Sequence, residues 1–174
     1  SDKNELVFQL RQAIESPIPT YIRIGKKGEP DLSPGNTSYG IGKANILREG
    51  KLYLLLGVGP IIGEALNAAE LLKEYGIDLC VASMGGVAPL DIEFLIKMIS
   101  LNFTKWITLE EHGIVGGLGS SILEWLSDTN NSRKINLKRL GTPKLFINKL
   151  GNQAYTRNQL GIDAQGIKKQ ILEI

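Results

Sequence analysis

Glu110-Glu111-His112-Gly113-Ile114-Val115-Gly116-Gly117-Leu118-Gly119-Ser120-Ser121 lies between two segments of different periodicity. Upstream, Thr104 to Leu109 is rich in β-branched and aromatic residues (Thr104, Trp106, Ile107, Thr108) and reads as a strand; downstream, Ser120 to Ser127 reads as a helix. Strand, glycine-rich turn and helix in that order put the two glutamates and the histidine at the carboxyl end of a strand. In open α/β sheets that edge gathers functional groups. Alternation along a strand sends Glu110 and Glu111 to opposite sides, so they do not form a paired-carboxylate site. The glycines permit positive φ and close helix packing, and the amides before Ser120 are able to hold an anion at a helix start.

Working outward, the same alternation continues. Ala44 to Arg48 and Lys51 to Leu56 are strand candidates joined across Glu49-Gly50, a connection short enough to imply an antiparallel pair. Ile61 to Tyr75 reads as a helix ending at Gly76, Ile77 to Ser83 as a strand, Asp91 to Leu101 as a helix capped by Asp91, and Lys134 to Leu140 as a strand. Two helices, Asn152 to Leu160 and Asp163 to Leu172, follow. The expected fold is a three-layer α/β/α domain with a mainly parallel five-stranded sheet and one antiparallel edge strand. Ahead of it, Asn4 to Ser16 carries an amphipathic stripe (Leu6, Val7, Leu10, Ala13, Ile14) with Asp2 or Asn4 as its cap, and Thr20 to Ile24 is a short strand candidate. Gly25 to Gly42 lacks periodicity and is longer than most connections within a domain. Residues 1–24 are accordingly expected to be the tail of another domain, residues 25–41 a linker, and residues 42–174 the α/β domain.

Composition bounds the function. The chain has 174 residues, 43% hydrophobic and 22% charged, and a formal net charge of +2, the profile of a soluble globular domain. The longest apolar run, Leu52 to Ile62, is interrupted by Gly57, Gly59 and Pro60, so no membrane span is expected, and the polar start is no signal peptide; a cytoplasmic location follows as the expectation. The basic cluster Arg133, Lys134, Lys138, Arg139 and Lys144 alternates with apolar residues and reads as a solvated strand edge, not a nucleic-acid surface. One cysteine and one histidine make no zinc site, and Cys80, within an apolar strand, reads as an inert buried thiol. Gly57-Val58-Gly59 with Gly63 follows a strand and opens a helix, but the spacing departs from a dinucleotide fingerprint and Pro60 removes an amide, leaving a tight turn. His112 reads as a packing residue bonded to backbone near a domain contact, or alternatively as an interface or substrate-facing group, and Glu111 beside it shares that second reading.

The Glu-Glu-His run with Gly-Gly-Leu-Gly-Ser resembles the C-terminal domain of the transketolase family. So do Gly42-Lys43-Ala44 with Arg48-Glu49-Gly50, Ala65 to Gly76, Ser83-Met84 with Pro89-Leu90-Asp91, and Gly161-Ile162-Asp163-Ala164 with Gly166-Ile167, all in order. Pro19 to Lys26 resembles the last strand of the family's pyrimidine-binding domain. The resemblance implies a complete enzyme that uses thiamine diphosphate and magnesium to transfer two-carbon ketol units between sugar phosphates. In it this domain supports assembly, as a homodimer or with a split-subunit partner that carries the cofactor domains. Lys26 falls where family members acting on phosphorylated sugars tend to carry a phosphate-binding arginine. The family's Gly-Asp-Gly cofactor motif is absent from the chain, so no catalytic, cofactor-binding or metal-binding residue is assigned, and the fragment alone is expected to be inactive and free of cofactor. Deoxyxylulose-5-phosphate synthase, the beta subunits of 2-oxoacid dehydrogenases, and a stand-alone binding or regulatory domain are the alternative readings.

Overall fold

The computed structural model describes residues 1–25, 30–32, 39–131 and 134–174. Five strands, β1 (Asn45–Arg48), β2 (Tyr53–Val58), β3 (Leu79–Ser83), β4 (Lys105–Gly113) and β5 (Asn136–Thr142), form one sheet in the order β1-β3-β2-β4-β5. β2, β3, β4 and β5 run parallel to one another, and β1 lies antiparallel to β3 at the edge. Helices α2 (Ile62–Leu72) and α6 (Ala164–Leu172) cover one face; α3 (Ile92–Ser100) and α4 (Leu118–Asp128) cover the other. This is the expected three-layer arrangement with its one antiparallel edge strand.

Period-two burial divides the core between the faces. Leu55, Val81, Ile107 and Leu109 meet α2 and α6, whereas Leu54, Leu56, Cys80, Ala82 and Trp106 meet α3 and α4. The Trp106 indole stacks at 6.5 Å on Trp125 of α4 and donates to the Phe103 carbonyl at 2.8 Å, which satisfies its one polar atom. Helix ends follow local chemistry. Asp91 caps α3 through the Phe94 amide, Asp163 caps α6 through Gly166, and the left-handed Gly76 (φ 70) ends the 3-10 turn after α2.

Three local expectations are corrected. β1 pairs with β3 and not with β2. The connection between them crosses the start of β3, where the Lys51 amide bonds to the Asp78 carbonyl, and a Cβ on Gly50 would lie 2.3 Å from the Cys80 nitrogen. Only glycine lets the backbone pass that closely, so β2 lands on the far side of β3. Second, residues 20–24 form no strand; a β-branched run becomes a strand only where it pairs with another. Third, β4 runs on to Gly113, so the acidic pair and His112 belong to the strand itself.

Helix α1 (Lys3–Glu15) forms as expected, with Asp2 as its cap, but its orientation is unusual. It meets the α/β body through polar side chains: the Ser83 hydroxyl donates to both Glu5 carboxylate oxygens at 3.0 and 3.1 Å, Gln9 donates to the Gly85 carbonyl, and Gln12 accepts from the Ile41 amide at 2.8 Å. Val7, Leu10 and Ile14 of its apolar stripe are exposed.

Candidate functional site

Along β4 the side chains of Trp106, Thr108 and Glu110 point to the α4 side, and those of Ile107, Leu109 and Glu111 to the α2 side, as strand alternation requires. Glu110 thereby becomes a buried carboxylate, only 2% exposed. Its oxygens accept from the Leu118 and Gly119 amides, both at 2.9 Å, at the start of α4. A charge in such a place needs donors, and the unpaired amides and positive end of the helix supply them. Gly117 stands at the N-cap with no side chain of its own to offer, and a Cβ there would lie 1.8 Å from Glu110 Oε2. The anion that the glycine-rich turn is able to hold is therefore the chain's own carboxylate.

The tip of the turn is tied to its neighbours. Gly116, at φ 79, donates to the Ser120 hydroxyl at 2.9 Å; the Ile114 amide donates to the Thr142 carbonyl at 3.1 Å; and Arg139 of β5 donates to the Ile114 carbonyl at 3.0 Å. His112 stands outside this network. Its side chain is 55% exposed, with Nδ1 3.0 Å from the neighbouring Gly113 carbonyl oxygen and 4.0 Å from Glu110 Oε2. Val115, beyond it, is exposed as well.

Glu111 faces the other way, toward a second cluster. Arg157 of α5 (Gln153–Leu160) grips both its oxygens, Nε at 3.0 Å and Nη2 at 2.9 Å, the bidentate fork that makes arginine–carboxylate pairs strong. Gln153 donates to the same carboxylate at 3.0 and 3.1 Å. Arg157 Nη1 lies 3.5 Å from Glu64 of α2, and Glu64 accepts from the Ala164 amide at the start of α6 at 3.0 Å. Glu64 follows β2 and Glu111 ends β4, the two strands between which the order of the sheet reverses. Ligands of open α/β sheets bind at that crevice. Here an arginine from the same chain sits between the two carboxylates that flank it.

Glu111 and His112 thus share one edge of the sheet but act separately, one clamped and one exposed. Lys26 lies outside the described residues. Cys80 is buried, and burial pushes its thiol up to about 12. The residues missed from sequence are Arg157 and Glu64, which lie 46 and 93 residues from their partners and carry no local signal. Glu110 did carry one, because strand parity puts it in the buried column with Trp106. Among the described residues no group of three or more His, Cys, Asp and Glu side chains is placed to hold a metal ion, and the amides at the start of α4 are taken by Glu110. These residues do not fit a bound diphosphate with its metal. Among them, too, no helix is long and apolar enough to cross a membrane.

Residues 42–167 match the family described as transketolase, C-terminal domain. The 1-deoxy-D-xylulose-5-phosphate synthase of Caldanaerobacter subterraneus subsp. tengcongensis is 36% identical over 99% of this chain and 27% of its own length. The enzyme of that name from Synechocystis sp. is 41% identical over 69% of this chain and 18% of its own. The chain thus spans about a quarter of the length of the curated relatives it matches. Among solved structures, a split-gene transketolase in an inactive beta4 tetramer superimposes with a TM-score of 0.83 at 28% identity, covering 94% of this chain and 52% of that one. Transketolase from Campylobacter jejuni shares the fold, with a TM-score of 0.52 at 15% identity over 87% of this chain and 20% of its own.

Proposed function

Because the chain belongs to the transketolase family, as its C-terminal domain, we propose that it is the assembly-supporting part of a thiamine-diphosphate- and magnesium-dependent transferase. That enzyme moves two-carbon ketol units between sugar phosphates in the cytoplasm. The observation that carries this reading is the state of the carboxyl edge: the Glu110 and Glu111 carboxylates are both hydrogen-bonded within the chain, and His112 and Val115 are left outward. Such an edge suits contact with a second subunit, in a homodimer or with a separately encoded partner that carries the cofactor. Lys26 is the residue we assign to the substrate phosphate. As a point charge it holds an anion without the bidentate fork of arginine.

The curated relatives favour a second reading, in which the complete protein is a 1-deoxy-D-xylulose-5-phosphate synthase. The product distinguishes the two. A transferred ketol unit keeps its hydroxyl at C1, whereas the synthase's product, by its name, lacks that oxygen. The protein that carries the cofactor domains is combined with this chain, supplied with thiamine diphosphate, magnesium and an aldose phosphate, and its product is weighed by mass spectrometry with a ketose phosphate donor and with a 2-oxoacid donor. A hydroxylated product from the ketose donor supports ketol transfer; a deoxy product from the 2-oxoacid moves the assignment to the synthase. Micromolar binding of thiamine diphosphate to this chain alone, read by titration calorimetry, would refute the assembly role.

A further inference from the structure

We propose that residues 143–160 are a strap that opens as a unit, held shut over the switch-point crevice by the clasp of Arg157 on Glu111 and Glu64. Helix α5 contributes no buried residue. The run before it carries Leu145, Phe146 and Leu150 at 75%, 102% and 98% exposure. Consolidation within the segment is local: Asn152 caps α5 through the Tyr155 amide at 2.8 Å, Lys149 reaches Gln159 at 3.3 Å, and Gly151 lies so close to the Tyr155 ring that a Cβ would meet it at 2.2 Å. Its side-chain ties to the sheet and α2, among the described residues, gather at one place. Arg157 bonds to Glu111 and Glu64 there, and Gln153 bonds to Glu111. Leu160 packs at the edge of the core just before Gly161, a left-handed residue at φ 65 that marks one hinge; the end of β5 at Thr142 marks the other.

Beyond the hinge, Asn158 donates to the Asp163 carboxylate that caps α6, at 2.9 Å. A segment with its own hydrogen bonds, few buried apolar contacts and an attachment made mainly by charged side chains is the kind of unit that opens below the free energy of global unfolding. The Arg157 side chain is 12% exposed, Glu111 29% and Glu64 24%, so the clasp is partly solvated and open to screening by salt. Opening withdraws the guanidinium from the crevice and leaves Glu64 and Glu111 facing water. The device depends only on this chain and stands whether or not the ketol-transfer assignment holds.

Hydrogen exchange with mass spectrometry on the 174-residue chain tests it, comparing the natural protein with Arg157→Gln and Glu111→Gln. Amides of 153–160 are expected to exchange at least tenfold faster in both variants, with those of β2, β3 and β4 unchanged. Raising salt from low to molar concentration on the natural protein is expected to speed the same amides severalfold, a measurement that stands if a variant fails to fold. Unchanged exchange in 153–160 under all three perturbations overturns the strap. So does acceleration spread evenly over the sheet, which would make the clasp a support of the whole domain.

Discussion

Replacing Gly117 with alanine isolates the internal anion at the start of α4. The backbone there is extended (φ −106), so alanine meets no conformational penalty; its Cβ would instead sit 1.8 Å from Glu110 Oε2 and 2.7 Å from its carboxyl carbon. The carboxylate is the flexible end of its side chain and must swing away, giving up the two charge-assisted hydrogen bonds that together cap α4, worth about 1.5–3 kcal/mol each. Partial re-pairing recovers some of this, for a net loss of about 2–4 kcal/mol. At about 2–4 °C per kcal/mol for a chain of this size, Tm is expected to fall by roughly 5–15 °C in calorimetry or circular dichroism. Two neighbours serve as controls. A Cβ on Gly113 meets nothing within 4 Å, so Gly113→Ala should stay within about 0.5 kcal/mol. Gly116→Ala meets nothing either, but its φ of 79 should cost about 1–2 kcal/mol. The deciding measurement repeats Gly117→Ala in a Glu110→Ala background, where the obstructing carboxylate is gone and the substitution should become nearly neutral. An equal Tm loss in both backgrounds would refute the internal cap.

Cys80 should resist thiol reagents at pH 8 until denaturant is added, because burial, reinforced by Glu49, raises its pKa to about 12. The folded thiol keeps its proton while the unfolded one ionises near pH 9, so this group's contribution to stability is complete below pH 9 and is lost between about 9 and 12; a Tm that rises over that interval in the natural protein but not in Cys80→Ser would contradict this. His112→Ala should change the Tm of the isolated chain by no more than about 0.5 kcal/mol's worth, because the side chain is mostly in water, yet weaken association in the complete enzyme; a large loss in the isolated chain would make it a core residue instead. Lys26→Ala in the complete enzyme should lower kcat/KM for phosphorylated sugars by roughly ten- to a hundredfold and spare unphosphorylated ones, and equal slowing of both would withdraw the phosphate assignment.

The layers and most helix limits could be read from the residues because they rest on local periodicity. Asp91, Gly76 and Asp163 each announce a boundary through chemistry confined to a few neighbours. What could not be read depends on pairings distant in sequence. β1 joins β3 because Gly50 slips past the Cys80 backbone, and no pattern within residues 44–56 contains that information. The glycines of the turn looked alike in sequence but separate by role: Gly116 needs its positive φ, Gly117 and Gly119 make room for Glu110 and for Thr108 with Arg139, and Gly113 does neither. Arg157 is invisible as a functional group until α5 brings it to the crevice.

The polar docking of α1 carries a thermal consequence. Heat capacity rises when apolar surface is wetted and falls when polar surface is, by about +0.45 and −0.26 cal/K/mol per Å² respectively. Undocking α1 frees Glu5, Gln9 and Gln12 from the body, while Val7, Leu10 and Ile14 are already wet. Its release therefore carries little of the positive heat capacity that curves the stability of the sheet and its two cores. Warming should peel this helix away gradually, as a sloping loss of ellipticity well ahead of the cooperative melt, and cooling should strengthen its hold through temperatures at which the hydrophobic layers have begun to weaken.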